Sequence, residues 1–173
     1  MQPARLFHIS EDPDIEVFSP RPSPSWFEQI NGEVVFAISD QLLHNYLLPR
    51  DCPRVSFYAG PQSTLADIEK FIGQSPTKFV MALETKWLPL IQQATIYCYE
   101  LPTPAFTLLD AGAGYYISYE AVKPLSVTPL NNLLAELSKR NVALRFVDTL
   151  KPLAAAVSQS TLHFSNIRMR NAE

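Results

Sequence analysis

The chain reads as α+β, with a bent or split mixed β-sheet and short flanking helices. Three observations predict this class. Short apolar runs rich in Val, Ile, Phe and Tyr recur along the 173 residues, each of strand length and too short for a helix. Helical periodicity appears in a few brief stretches only, too few and too irregularly placed for regular βαβ winding. Proline outnumbers glycine 15 to 5, which stiffens the connections and leaves no Gly-rich phosphate loop, so Rossmann and P-loop architectures are set aside.

Taken in order, Arg5 to Ile9 is a first strand, and Val34 to Ser39, preceded by the turn pair Asn31-Gly32, a second. Asp40 caps a helix whose Leu42, Leu43, Tyr46 and Leu47 recur at helical spacing. Val55 to Ala59 is a third strand. Thr64 and Asp67 open a helix carrying Leu65, Ile68, Phe71 and Ile72, which Gly73 stops. Lys78 to Leu83 and Thr95 to Glu100 are strands separated by a short helix around Trp87 to Gln92, limited by Pro89 near its start. Tyr115 to Ser118 and Val122 to Val127 follow as strands. Thr128-Pro129 has the form of a cap followed by proline at the first helical position, for an amphipathic run through Leu130, Leu133, Leu134 and Leu137 that Asn141 ends. Leu144 to Val147 is another strand, and Thr149 begins a last helix before a polar tail.

Length and composition bound the function. Residues 1–173 fit one domain with one core, and no repeat or composition shift marks a boundary. A net charge of -3 gives no electrostatic case for nucleic acid or membrane surfaces as partners. No apolar run approaches the ~20 residues of a membrane span, and no basic stretch followed by an apolar one marks a secretion signal. Two cysteines, Cys52 and Cys98, form no framework and suit the reduced thiols of a cytoplasm. With three widely spaced histidines, no metal site is expected.

The opening Leu6-Phe7-His8-Ile9-Ser10-Glu11, the block Pro49-Arg50-Asp51-Cys52-Pro53-Arg54 and the tail Ser165-Asn166-Ile167-Arg168-Met169-Arg170 together resemble a bacterial family of uncharacterised proteins, a resemblance that spans nearly the whole chain and names no function. More distantly, the chain resembles the ADP-ribosyltransferase fold, whose members bind or cleave the nicotinamide end of NAD between two small sheets. His8 is similar to that fold's early-strand His or Arg, and Val34-Val35-Phe36-Ala37 with Tyr46 to its second strand and stacking Tyr. Tyr115-Tyr116-Ile117-Ser118-Tyr119 is similar to the segment that begins with its catalytic Glu. The resemblance implies NAD or a related nucleotide as ligand, in a cleft lined by His8, Ser10, Arg21, Tyr46 and Tyr115, with Ser118 beside it. The departures are Val35 in place of a stacking Tyr and Tyr115 in place of the Glu. A phenol with a reference pKa of about 10 is neutral at pH 7 and cannot offset the positive charge that develops at the sugar, so ordinary ADP-ribosyl transfer is disfavoured. Glu84, Glu100 and Glu120 are the substitutes to be placed.

Each candidate also has a plainer reading. His8, between Phe7 and Ile9, has the setting of a hydrogen-bonded core histidine as well as of a ligand contact. Tyr46 lies on an apolar helix face, as a packing residue or a stacking platform. Arg50 and Arg54 offer guanidinium groups for an anion, or Asp51 pairs with one of them or with Arg21 to pin the loop. Cys52 between these arginines is expected to have a lowered pKa and nucleophilic character. His163, with Arg168 nearby in the tail, either returns to the cleft or is solvated surface. Three classes of function follow: a nucleotide-binding protein on the ADP-ribosyltransferase-like scaffold, a non-catalytic sensor or interaction module with an Arg-lined anion site, and a hydrolase or transferase using Cys52 or His163.

Overall fold

A computed structural model describes residues 5–173. Ten strands run in chain order through the described residues: β1 (Leu6–Ser10), β2 (Val35–Ser39), β3 (Arg54–Tyr58), β4 (Phe79–Glu84), β5 (Ile96–Leu101), β6 (Thr107–Asp110), β7 (Tyr115–Ser118), β8 (Ser126–Leu130), β9 (Val142–Val147) and β10 (His163–Ile167). The α-helices are short: α1 (Leu65–Asp67), continued by a π-helix over Ile68–Ile72, then α2 (Leu88–Gln93), α3 (Leu133–Lys139) and α4 (Lys151–Ser158). Asp40–Tyr46, expected as a helix, is a 3-10 helix. Two sheets with short helices make the chain α+β, as the strand pattern predicts.

The chain divides into two compact units, Met1–Leu43 with Thr95–Leu130, and His44–Ala94 with Asn131–Glu173. The first holds a six-stranded antiparallel sheet in the order β6-β7-β2-β1-β5-β8. Its core gathers Leu6, Val35, Ala37, Tyr99 and Leu101 from the strands with Phe18, Phe106 and Val122 from the connections. The long segment after β1 is tied down as its prolines imply. The Tyr99 hydroxyl donates to Asp12 O at 2.6 Å and accepts from Ile15 N at 3.1 Å. Phe18 and Val122 exchange two main-chain hydrogen bonds.

The second unit holds a four-stranded sheet in the order β10-β3-β4-β9, in which only β4 and β9 run parallel. Val55, Phe57, Val80 and Ala82 pack against Phe71, Ile72, Leu150, Ala154 and Val157. Thr64 caps α1 by accepting from Asp67 N at 3.3 Å, and Gly73 closes the π-helix at φ 63°, a left-handed turn that suits glycine. Arg145 donates to the carbonyls of Phe71 and Ile72 at that helix end. Glu84 ends β4 fully buried, accepting from Leu150 N at the start of α4 and from Glu173 N.

Several expectations need correction. Thr128-Pro129 does not start a helix: Thr128 pairs with Cys98 and Pro129 with Tyr97 in β8. This strand lies at the sheet edge, where a missing N–H breaks no ladder. The helix begins at Leu133, with Asn132 accepting from Ala135 N. The strand expected from Val122 begins at Ser126, because Val122 makes only an isolated bridge to Phe18. Thr149 does not begin the last helix; Leu150 caps it, with proline in its first turn. Strands β6 and β10 fall where no strand is expected. In β10 the sequence His-Phe-Ser-Asn-Ile carries too little β-branched content to signal one.

Candidate functional site

Strand register determines which candidates can meet. His8 lies opposite Tyr99 and by alternation shares its face with Leu6 and Ser10. Phe7 lies opposite Ile38, and Ile38 opposite Tyr115, so Tyr115 occupies the other face. Ser118, opposite Val35, returns to the His8 face. The sheet thus separates His8 from Tyr115, two residues expected in one cleft.

On their faces these groups are engaged. The Nδ1 of His8 lies 3.0 Å from Phe36 O. A carbonyl only accepts, so Nδ1 carries the proton and donates, which fixes tautomer and ring orientation. The ring also packs 4.7 Å from Phe18. Ser10 Oγ accepts from Asp12 N at 3.1 Å, and buried Ser118 donates to Glu120 O and accepts from Glu120 N. Tyr115 meets Phe27 and Phe36 edge-on at 6.3 and 6.1 Å. Arg21 is exposed and pairs with Val34 through its main chain. Of the carboxylates proposed to substitute for the missing Glu, Glu100 is held by Arg5 through two hydrogen bonds of 2.9 and 2.8 Å, which lower its pKa below the usual value. Glu84 holds main-chain N–H groups, and Glu120 is exposed.

In the second unit the Arg50–Arg54 block serves structure. Arg54 is 2% exposed and donates to the carbonyls of Asn45, Pro49 and Cys52 at 3.0, 3.3 and 2.6 Å. A guanidinium whose donors face main-chain carbonyls staples the loop instead of receiving an anion. Its carbon lies 6.0 Å from the half-buried Tyr46 ring. Exposed Arg50 gives its carbonyl to Arg168 Nε at 3.1 Å, and Asn171 donates to Asp51 O at 2.7 Å, so the tail pins the block. Cys52 overturns its expectation. It is completely buried, and desolvation, outweighing the attraction of Arg54, pushes its thiol up to about 11; a thiolate nucleophile at neutral pH has no support here.

A different group presents itself. His163 begins β10 opposite Tyr58, the last residue of β3. The two rings stack with centroids 5.0 Å apart and planes inclined by 17°. A Cβ on Gly60 would fall 2.1 Å from both Cδ2 and Nε2 of His163 and 3.4 Å from Cγ, a set of distances that places Gly60 against the ring edge. One imidazole face rests on Tyr58, one edge abuts Gly60, and the residue as a whole is exposed. Lys78 carries its ammonium 6.0 Å from the Tyr58 ring and 5.0 Å from that of Phe79. Phe79 itself meets Tyr58 edge-on at 5.2 Å.

A hydrogen-bond lattice fixes this arrangement. Gly60 N donates to Ser63 Oγ, and Ser63 donates to Thr161 O, each at 2.9 Å. Thr64 N donates to Thr161 Oγ1 at 2.8 Å. Thr161 then donates from its hydroxyl and its N–H to Asp67 Oδ2 at 2.6 and 2.8 Å, bonds that lower the carboxyl's pKa. The segment leading into His163 is therefore stitched to the segment that bears Gly60. Burial raises the Tyr58 phenol above its usual value, keeping it neutral. The outer face of His163 is a flat aromatic surface open to solvent, which suits a stacked planar ring, while Lys78, which precedes β4, lies on the far side of β3 from β10.

Sequence reasoning singled out His163 but not Tyr58, Gly60 or Lys78. Tyr58 lies in a run that reads as an ordinary strand, and what brings it to His163, its register with β10, is long-range. Among the described residues no cluster of His, Cys, Asp and Glu is arranged to hold a metal ion, and no helix is long and apolar enough to cross a membrane. No curated protein and no solved structure matches the chain. A family model does match, across residues 7–172, a span that holds every candidate discussed above and all of both sheets except Leu6 at the start of β1, and the chain belongs to that family, DUF6886, a family of unknown function.

Proposed function

We propose that this protein binds a nucleotide-class ligand whose planar base stacks on the outer face of His163. The observation that carries the reading is the His163–Tyr58 stack, one face supported and one edge braced by Gly60 while the residue stays exposed. The ligand class is the one implied by the ADP-ribosyltransferase resemblance, NAD or a related nucleotide, but the groups are different. His8 and Tyr115 lie on opposite faces of their sheet, and the resemblance itself puts Tyr115 where that fold has a carboxylate, so ADP-ribosyl transfer is no part of the reading. A binding or sensing role is.

Isothermal calorimetry and thermal shift with AMP, ADP-ribose, NAD, nicotinamide and inorganic phosphate test it, on the native protein and on His163→Ala. Stacking of a base on an aromatic side chain contributes about 1–3 kcal/mol, about 5- to 150-fold in affinity. AMP and ADP-ribose are expected to bind and raise the melting temperature and to weaken by that factor in His163→Ala. Equal affinity in the variant, or no nucleotide binding by the folded protein, refutes the proposal.

A further inference from the structure

The segment between β1 and β2 presents two adjacent aromatic residues in opposite ways. Phe27 is half-buried, its ring 6.1 Å from Phe36 and 6.3 Å from Tyr115. Trp26, next to it, is 85% exposed. Phe27 therefore anchors the segment to the sheet while Trp26 is turned outward, and the surrounding backbone is held. Tyr119 donates to Gln29 O at 3.4 Å and accepts from Asn31 N at 3.3 Å, Ser23 donates to Ser25 O at 2.5 Å, and Ile30 N donates to Phe27 O at 3.1 Å. The hydrogen-bonded, proline-stiffened loop has little backbone freedom left to lose when something settles on the indole.

Trp26 forms part of the wall of a depression of about 330 Å³ with Ser23, Pro24, Ser25, Phe27, Ile30 and Gly32. This volume lies at the small end of ligand sites. The lining contains no charged side chain, so the depression offers nothing to neutralise a phosphate or an ammonium, and burying such a group there would cost its hydration without return. It does offer an indole face, further apolar walls, two serines and main-chain groups. A ring whose C–H face can rest on indole, and whose rim carries hydroxyls for serine and main-chain partners, matches that lining. We infer that this depression is a second binding site, on the unit that does not carry His163, and that it takes a neutral saccharide ring.

Intrinsic fluorescence provides the test, because the protein has only two tryptophans and the indole nitrogen of the other, Trp87, is buried. The full chain is titrated with glucose, galactose, N-acetylglucosamine and maltose, and separately with AMP and inorganic phosphate. At least one saccharide is expected to shift or quench the emission in a saturable way. In Trp26→Ala its affinity, followed by calorimetry, should fall about tenfold or more. The variant should keep its melting temperature, since an exposed side chain contributes little to the fold. Calorimetric saccharide binding that is unchanged in Trp26→Ala, or the absence of any saccharide response from the folded protein, overturns the inference. A Trp26-dependent response to AMP or phosphate alone also overturns it, since it contradicts the uncharged lining. Nucleotide binding that depends on His163 and not on Trp26 belongs to the other site and leaves this result unaffected.

Discussion

Replacing Gly60 by alanine separates the function of the His163 platform from the stability of the fold. The added Cβ falls 2.1 Å from two ring atoms of His163, whereas ordinary contact begins at 3.4 Å, so the imidazole must retreat by about 1.3 Å. The glycines with positive φ are Gly32, Gly73 and Gly114; Gly60 is not among them, and alanine adopts its backbone conformation without strain. Lower freedom of the unfolded chain then stabilises the variant by about 0.4–1 kcal/mol, which offsets part of the cost of moving a side chain at the protein surface. The melting temperature should stay within about 2–4 °C of the native protein, while the ring leaves its position 5.0 Å from Tyr58. Proton NMR of the imidazole detects this directly. With three histidines in the chain, the His163 signals are identified by their loss in His163→Gln. In Gly60→Ala they should move, because the shielding by the Tyr58 ring falls, and AMP affinity should drop with them. Unmoved signals together with unchanged AMP affinity would falsify both the edge contact and the role given to the platform.

Two further outcomes rest on buried groups of the same unit. Glu84→Ala removes the acceptor for Leu150 N and Glu173 N and the partner of Lys86 at 3.3 Å. Lys86 is 44% exposed and also pairs with Glu173, so the loss in urea unfolding comes from the main-chain donors left without an acceptor and should be about 1–3 kcal/mol, with a smaller loss in Glu84→Gln, whose amide oxygen still accepts; a loss under about 0.5 kcal/mol in the alanine variant contradicts the assigned role. Cys52 should resist alkylation in the folded protein and react after unfolding, with the more accessible Cys98 modified first. Its thiol is raised in the folded state from the ordinary 9.0 to about 11, so the native protein holds this proton more tightly than the unfolded chain does. The associated stability is fully present below about pH 9 and declines as pH rises towards about 11. A flat stability profile across that range in the native protein, matched by Cys52→Ala, contradicts the burial argument.

The elements legible in the sequence are those whose local signals agree with their packing. β2, β4 and β7 carry β-branched and aromatic residues that also face a core, and Thr64 and Gly73 begin and end their helix by side-chain and backbone chemistry that needs no distant partner. Where tertiary context decides, local reading fails. Thr128-Pro129 has the form of a helix start, yet β5 offers Tyr97 and Cys98 as partners and takes it as an edge strand. β10 has little strand propensity and forms by pairing with the buried β3.

The same distinction applies to the candidate site. Residue type alone draws attention to His8, Cys52 and Arg54, and each is taken into structure by a partner that sequence does not reveal: Phe36 O for His8, complete burial for Cys52, three carbonyls for Arg54. His163 is no more conspicuous than they are. What distinguishes it is that Tyr58, Gly60 and the Thr161–Asp67 lattice hold its ring from one face and one edge while the residue stays exposed. A side chain that is fixed by its neighbours and still open to solvent has already lost the rotamer freedom that binding would otherwise have to overcome. That combination arises from strand register and a close glycine contact, and it is the physical reason for placing the ligand at His163 rather than at His8.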